Sequence, residues 1–295
     1  MKHIALLSLT IALGSSLTFA ADKPVIKLWP DGLPEGSDQI PPDRAAAARK
    51  KTTEERIAFV DSPSITLFRA PRDKANGCGL IICPGGGYNI LAWPKEGLEI
   101  AEYFNSVGVT CAVLQYRVPR RNPDLPHAEP LQDAQRAIRV MRTRAKEWGI
   151  DSKRVGILGF SAGGHLTTMA GLHWSKPTYS RVDDADDLSA RPDFICPIYP
   201  AYYADENKPG PLSDLMKVTK ETPPTFIAVT NDDKLRGYNA AQFYIELKKV
   251  GVSAELHIYH KGGHGYGIRP SDKPVSTWHH RCAEWMKVAG FLTKK

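Results

Sequence analysis

A pentapeptide of the form G-x-S-x-G spans residues 159–163 and centres on Ser161. The preceding residues 154–158 are of β type, and residues 164–170 form a small, apolar helix pattern. A serine between a strand and a helix sits on a tight, strained turn, a nucleophile elbow, which exposes its hydroxyl. The helix that follows points its N-terminal N–H groups at the same place, where negative charge is favoured. The pattern therefore predicts that Ser161 is a catalytic nucleophile.

A glycine-rich loop upstream has the composition of an oxyanion hole. The apolar strand pattern at residues 79–83 is followed by P-G-G-G-Y at residues 84–88. Consecutive glycines allow positive φ angles and a close approach of the backbone to a substrate. Their N–H groups can bind the negatively charged oxygen of a tetrahedral intermediate. We predict an oxyanion hole formed by the backbone N–H groups of Gly86, Gly87 and Ala162.

Two segments downstream supply an acid and a base. The buried-strand pattern at residues 225–230 ends beside Asp232 and Asp233, and a strand pattern at residues 254–259 leads to His264 among glycines. Serine, acid and histidine then follow in an order known for catalytic triads. We predict that Asp233 orients His264, with Asp232 as its rival. Successive residues that leave a strand point in opposite directions, so the other aspartate should be solvated or cap the next helix.

These motifs resemble those of α/β-hydrolases of the bacterial carbohydrate-esterase type, related to acetyl xylan and feruloyl esterases, and of hormone-sensitive-lipase-like esterases. The resembling segments are P-G-G-G-Y (84–88), Y-R-V (116–118), L-Q-D-A-Q-R-A-I-R (131–139), G-F-S-A-G-G-H (159–165), T-P-P-T-F (222–226) and G-G-H-G-Y-G (262–267). The resemblance covers about residues 64–290 and implies serine esterase chemistry that needs no cofactor. Lipase-like relatives begin the oxyanion loop with histidine, whereas this chain has Pro84 there.

Alternating β and α patterns from residue 64 onward predict the α/β class. We expect an α/β-hydrolase fold whose mainly parallel central sheet carries helices on both faces. The clearest helix is predicted over residues 130–148, and two others over about 238–250 and 275–290. Residues 174–192 and 200–224 are predicted to be loops above the carboxyl edge of the sheet. Neither segment resembles a long amphipathic lid, which argues against an interfacial lipase.

Residues 1–20 have the features of a secretory signal peptide: Lys2, an apolar core and T-F-A before the cleavage site. No cysteine stands directly after that site, where a lipoprotein anchor would be attached. No other segment is apolar over a length that could span a membrane. We therefore expect a periplasmic or secreted protein with no membrane anchor. The predicted division of the chain is a signal peptide (1–20), an N-terminal extended arm (21–63) with room for one short helix, and a catalytic domain (64–295).

The net charge of +7 over 295 residues, with 42% hydrophobic residues, is ordinary for a folded enzyme. The basic residues of the 130–148 helix are dispersed and not gathered with aromatic residues, so no nucleic-acid partner is predicted. They are expected to form a solvated helix face. These residues are Arg136, Arg139, Arg142 and Arg144.

Cysteines and acidic residues offer no metal site by their spacing. Cys83, Cys111 and Cys196 fall in or beside strand patterns, where a free thiol behaves as a small hydrophobe. We predict no obligatory disulfide and no metal. The aspartates at positions 183, 184, 186 and 187 lack the glycine and the terminal glutamate of a calcium loop, and are interpreted as a solvated acidic turn.

Tyr116, Arg117 and Asp133 are predicted to form a structural ion pair or hydrogen-bond set beneath the active site.

The predicted activity is hydrolysis of acetyl, or feruloyl, esters on a plant polysaccharide such as xylan. The acylated carbohydrate is the predicted partner, and the oligomeric state is left open.

Three alternative functions fit the sequence less well. A peptidase of the prolyl-oligopeptidase type usually carries a large propeller, and only residues 21–63 precede this core. A dienelactone hydrolase needs cysteine where Ser161 stands. A non-catalytic binding module of the same fold has usually lost a member of the triad, and here every member is present.

Overall fold

One mixed eight-stranded sheet forms the centre of the computed structural model, which describes residues 23–34, 37 and 39–293. The signal peptide predicted for residues 1–20 lies outside the described residues. The strands are β1 (Val25–Lys27), β2 (Ser64–Phe68), β3 (Gly79–Cys83), β4 (Thr110–Gln115), β5 (Val155–Phe160), β6 (Ile195–Ile198), β7 (Thr225–Thr230) and β8 (Ala254–Tyr259). Their spatial order is β1-β2-β4-β3-β5-β6-β7-β8.

The inner strands are parallel and the two at one edge are antiparallel. β1 pairs antiparallel with β2, and β2 pairs antiparallel with β4, while every pair from β4 to β8 is parallel. All residues of β3, β5 and β7 are buried, which is why these strands are near-continuous apolar runs in the sequence. The prediction of a mainly parallel sheet in an α/β fold is confirmed.

Seven α-helices occur in the part of the chain that the structure describes. They are α1 (Pro42–Arg49), α2 (Glu99–Ser106), α3 (Ala128–Thr143), α4 (Ala145–Trp148), α5 (Ala162–Leu172), α6 (Arg236–Lys249) and α7 (Trp278–Val288). The helix predicted over 130–148 is thus two helices, and Gly149 ends the second in a left-handed conformation (φ 68°). The helix predicted over 275–290 begins with a 3₁₀ turn, Pro274–Thr277, before α7.

The crossover connections place helices on both faces of the sheet. The β3-α2-β4 connection moves toward the β1 edge, whereas β5-α5-β6 and β7-α6-β8 move toward the β8 edge. Such crossovers are right-handed. The helices of crossovers that move in opposite directions along the sheet therefore lie on opposite faces of it. The direction changes between the neighbouring strands β3 and β5. A ligand site in an open α/β sheet is expected outside the carboxyl ends of the strands at this point.

The N-terminal arm is joined to the sheet by β1 and to helix α3 by hydrogen bonds. The indole Nε1 of Trp29 donates to Asp133 Oδ1 at 2.8 Å, and Arg136 Nε donates to Leu28 O at 3.1 Å. Farther along the arm, Ile57 bridges to Leu91 beside the oxyanion loop.

The prediction of a solvated basic face is wrong for Arg136, Arg139 and Arg142, which are covered, and holds only for Arg144, which is exposed. The Arg136 side chain is only 3% exposed and forms ion pairs with Asp183 and Asp186. Arg142 pairs with Asp193 at 3.1 Å. The helical pattern shows where these charges fall on α3, but it cannot show which distant segment covers them.

The segment that covers them is 174–192, which was predicted to lie above the carboxyl edge. It runs along α3, and the residue after it, Asp193, accepts the Val155 N–H at the amino end of β5. The prediction of its position is therefore wrong. The acidic turn within it is also not simply solvated, because the Asp186 side chain is 4% exposed and accepts the Tyr179 hydroxyl at 2.6 Å.

Candidate active site

Ser161 occupies a strained turn between β5 and α5. Its φ of 54° and ψ of −115° are unusual for a residue with a side chain. A Cβ atom at Gly159 would lie 2.2 Å from Gly163 O, and one at Gly163 would lie 2.1 Å from Cys83 O. Both flanking positions therefore require glycine, and the serine has the predicted nucleophile-elbow geometry.

Ser161, His264 and Asp233 form one hydrogen-bonded chain. His264 Nε2 lies 2.9 Å from Ser161 Oγ, and His264 Nδ1 lies 2.6 Å from Asp233 Oδ2. An ionised carboxylate only accepts hydrogen bonds, so Nδ1 carries the proton and Nε2 is free to accept the serine hydroxyl. The structure thus brings together the three residues that were predicted as nucleophile, base and acid.

Asp233 is held ionised by its partners. Burial alone raises the pKa of Asp233, but the hydrogen bond from His264 and the charge of Arg236 outweigh it, and the net pKa lies below the ordinary value. Arg236 Nη1 contacts Asp233 Oδ1 at 2.5 Å, and its Nη2 contacts Glu206 Oε2 at 2.5 Å. Sequence analysis missed Glu206 because it lies in a loop without periodicity.

Asp232 has a contact that was not predicted. Its Oδ1 accepts the N–H groups of Gly262 and Gly263 at 3.0 and 2.9 Å. These backbone hydrogen bonds, that of Gly263 first, lower the pKa of Asp232 to about 2. Asp232 is exposed, in agreement with the expectation that it is solvated. Its hydrogen bonds to Gly262 and Gly263 were not expected, and they fasten the loop that carries His264.

The predicted oxyanion loop lies against Ser161. Gly86 and Gly87 have φ angles of 134° and 64°, and a Cβ atom at Gly86 would lie 2.1 Å from Ile90 O. Among the described residues, the N–H groups of Gly86 and Gly87 donate to no protein acceptor. Ala162 is the first residue of α5, whose N–H has no acceptor within the helix. A Cβ atom at Gly85 would lie 3.0 Å from Ser161 Cβ.

Hydrogen bonds of two tyrosines, one of them within the loop, hold this loop in place. The Tyr116 hydroxyl donates to Pro84 O at 2.6 Å, and the Tyr88 hydroxyl lies 2.8 Å from His165 Nδ1. The carbonyl of Pro84, the first residue of the predicted oxyanion loop, is therefore fixed by Tyr116.

A buried ion pair joins Arg117, which lies just after β4, to Asp133 of α3. Arg117 Nη2 and Asp133 Oδ1 are 3.0 Å apart, and both side chains are fully buried. Asp133 Oδ2 also accepts the backbone N–H of Arg117 at 2.9 Å. The predicted Arg117–Asp133 pair is confirmed, although Tyr116 contacts Pro84 instead of the pair.

The predicted site residues lie near a partly open surface. The His264 side chain is 34% exposed. Tyr202, 39% exposed, stacks on Tyr88 with ring centroids 6.0 Å apart, and its hydroxyl lies 3.6 Å from the position of a Cβ on Gly87. The site is therefore accessible to solvent on the side of His264 and Tyr202.

No cluster of three or more histidine, cysteine, aspartate or glutamate side chains suited to a metal occurs in the described chain. Of the helices that the structure describes, none combines the length and apolarity needed to cross a membrane. The predicted burial of Cys83, Cys111 and Cys196 is confirmed, since each is fully buried.

The chain is similar to known esterases. The BD-FAE family model matches residues 67–193. An acetylxylan esterase of Xylanibacter ruminicola is 29% identical over 219 residues, which are 66% of this chain and 42% of that protein. The endo-1,4-beta-xylanase B of Butyrivibrio fibrisolvens is 28% identical over 234 residues, 73% of this chain and 36% of that protein. The chain spans less than half the length of these two relatives.

A solved structure matches nearly from end to end. The acetyl ester-xyloside bifunctional hydrolase of Caldicellulosiruptor lactoaceticus has a TM-score of 0.70 and 30% identity, over 92% of this chain and 97% of that one. A carboxylesterase of Lactobacillus plantarum shares the fold, with a TM-score of 0.65, 22% identity, and coverage of 80% of this chain and 96% of that one. The chain therefore belongs to the α/β-hydrolase family of carboxylic ester hydrolases, among its acetyl xylan esterase-like members, as the sequence motifs predicted.

Proposed function

We propose that this protein hydrolyses short acyl esters, acetyl esters above all, on a plant polysaccharide such as xylan. The observation that carries the proposal is the hydrogen-bonded chain from Ser161 through His264 to Asp233 beside a glycine loop with free N–H groups. The acetylxylan esterase among its relatives supports the substrate class.

In the proposed mechanism, Ser161 Oγ attacks the ester carbonyl while His264 Nε2, 2.9 Å away, takes the hydroxyl proton. A free serine is a poor nucleophile at neutral pH, so this proton transfer is required. Asp233 keeps the imidazole in the reactive tautomer and stabilises its positive charge. His264 then gives the proton to the departing sugar alkoxide.

The tetrahedral intermediate carries negative charge on the former carbonyl oxygen. The proposed donors are the backbone N–H groups of Gly86, Gly87 and Ala162. Each such donor typically lowers the barrier by about 3 kcal/mol, because it is already aimed at the developing charge. Water then repeats the sequence on the acyl-enzyme and releases the acid, and no cofactor takes part.

The proposed location is the periplasm or the exterior, where polysaccharide is present. The support is the signal-like composition of residues 1–20. Feruloyl esters are a second acyl class for the same site, and the test below separates the two.

The test measures acetate release from acetylated xylan and ferulate release from feruloylated xylan, by wild type and by Ser161→Ala. We expect acetate release by wild type and none by the variant. A fluorophosphonate probe should label wild type and Ser213→Ala equally, since Ser213 only caps a 3₁₀ turn, and should not label Ser161→Ala. Acetate release by the variant near the wild-type rate would refute the role of Ser161. Cleavage of a proline peptide instead of the esters would favour the peptidase.

A further inference from the structure

A buried glutamate, Glu96, lies behind the oxyanion loop and outside the Ser161–His264–Asp233 chain. It is 5% exposed and belongs to a π-helical turn, Pro94–Leu98. None of the described lysine or arginine side chains forms an ion pair with it. Burial of a carboxyl group without a cationic partner costs free energy unless hydrogen bonds offset the cost. The hydrogen bonds of Glu96 should therefore explain why a glutamate is buried here.

Each carboxyl oxygen of Glu96 binds a different loop of the candidate site. Glu96 Oε2 accepts the N–H of Gly85 at 2.8 Å, within the oxyanion loop. Glu96 Oε1 accepts the hydroxyl of Tyr199 at 2.7 Å, and Tyr199 follows directly after β6. One carboxylate thus connects the loop after β3 with the segment after β6.

Tyr199 extends the connection to the loop that carries His264. The Gly267 N–H donates to the Tyr199 hydroxyl oxygen at 3.3 Å, so that hydroxyl must use its own proton toward Glu96. The Tyr199 ring also packs edge-on against the His264 ring, with centroids 4.9 Å apart. Tyr199 is fully buried and has a strained φ of 36°, which indicates that its surroundings fix it firmly.

Gly85 transmits the position of Glu96 to the nucleophile. A Cβ atom at Gly85 would lie 2.6 Å from Glu96 Oε2 on one side and 3.0 Å from Ser161 Cβ on the other. The backbone at Gly85 is therefore wedged between the carboxylate and the nucleophile. A displacement of the carboxylate would move the neighbouring N–H groups of Gly86 and Gly87 relative to Ser161.

We propose that Glu96 is a positioning residue that fixes the oxyanion loop against the His264 loop, so that oxyanion donors and base converge on Ser161. The proposal rests on the esterase function proposed above. Glu96 touches no substrate in this role and acts through Gly85 and Tyr199. Its loss should weaken transition-state binding more than ground-state binding, and therefore lower kcat with little change in KM.

The test compares Glu96→Gln, Tyr199→Phe and the control Glu102→Gln on p-nitrophenyl acetate. Glutamine keeps the shape of Glu96 but replaces one acceptor oxygen with a donor. We expect Glu96→Gln to lower kcat about tenfold, with KM within about threefold, because the amide can keep one of the two acceptor contacts but not both. Tyr199→Phe removes only the hydroxyl and should lower kcat about tenfold, since Gly85 keeps its bond. Glu102, 60% exposed and paired with Lys23, should behave as wild type when changed.

Inhibition by a trifluoromethyl ketone, which forms a tetrahedral adduct on serine, supplies the second measurement. Its inhibition constant should rise in parallel with the loss of kcat/KM in both variants, whereas a merely structural role would not link the two. A folded Glu96→Gln with kcat within about threefold of wild type would overturn the proposal. If Glu96→Gln does not fold, an unchanged kcat in Tyr199→Phe overturns it instead. Wild-type hydrolysis that is lost in Ser161→Ala would leave the esterase proposal standing in either case.

Discussion

Asp232 and Asp233 are adjacent at the end of β7, yet each fixes a different part of the same loop. Asp233 Oδ2 lies 2.6 Å from the imidazole of His264, whereas Asp232 accepts the backbone N–H groups of Gly262 and Gly263. The first contact orients a ring and the second places the backbone that carries it. Substitutions at Asp232 and at Asp233 should therefore have different effects on activity.

We predict that Asp233→Asn lowers kcat on the order of 10⁴-fold, because the amide favours the wrong imidazole tautomer. Asp232→Asn should cost less than about tenfold, since Asn retains an oxygen at the position of Oδ1, which accepts both glycine N–H groups. Asp232→Ala removes that oxygen and should cost more than Asp232→Asn. All three are to be measured side by side on p-nitrophenyl acetate, and the reverse ranking of the two Asn variants would move the acid to Asp232.

The sequence predicted the parts of the site that depend on local geometry. The sequence predicted that Ser161 and His264 lie together, because an elbow and a glycine-rich loop need particular residues next to these side chains. The parallel strands were visible because burial on both faces leaves continuous apolar runs, as in β3.

Contacts between distant segments were not predictable in the same way. Glu96 lies in an ordinary charged stretch, and only the folded chain brings it to Gly85 and Tyr199. The burial of the Arg136 side chain likewise depends on the segment around Asp183, 47 residues later in the chain. β1 is only three residues long, too short for an alternating pattern. Such pairings are set by tertiary packing, for which a single sequence holds no local signal.

Acyl-chain preference follows from the loop beside the oxyanion glycines. Tyr202 lies close to Gly87 and stacks on Tyr88. Its segment, 200–224, contains a 3₁₀ turn, Asp214–Met216, and no α-helix of the kind that forms an amphipathic lid. We predict that p-nitrophenyl acetate is cleaved much faster than the dodecanoate or hexadecanoate ester. The comparison of kcat/KM across the chain-length series checks this, and a rate that rises toward the long esters would restore the lipase alternative.

The buried pair of Arg117 and Asp133 is predicted to matter for stability. Asp133→Ala leaves an unpaired buried guanidinium, which typically costs 3–5 kcal/mol of unfolding free energy, so we expect a loss of about that size. The matched control is Asp61→Ala. Asp61 pairs with Arg49, and both side chains are exposed, at 59% and 58%. Its loss should stay below about 1 kcal/mol. Urea unfolding measures both, and equal losses would contradict the prediction.

Acid sensitivity is predicted from two buried histidines, His165 of α5 and His127, whose ring contacts it. Burial, with a smaller effect of His173, lowers the pKa of His127 to about 4, and burial lowers that of His165 to about 3. An unfolded histidine has a pKa near 6.5, so below that pH the unfolded state binds protons that the folded state does not. Stability should therefore be fully present above about pH 6.5 and fall as the pH drops toward 4.

The measurement is the melting temperature between pH 7.5 and 5.0 for wild type, His127→Gln and the exposed control His260→Gln. The His127 variant should show a shallower decline with falling pH, because one of the proton-linked groups is gone. The His260 variant should follow wild type. Parallel curves for all three proteins would show that burial of His127 does not contribute to the acid sensitivity.

The attachment of the N-terminal arm to α3 also has a consequence for the newly made chain. Trp29 donates to Asp133, 104 residues later, so the ribosome completes the arm long before its docking surface exists. At about 5–20 residues per second, that delay lasts about 5 to 20 seconds. During it, the apolar side chains of Leu28 and Trp29, which are buried in the finished fold, remain open to chaperones and proteases.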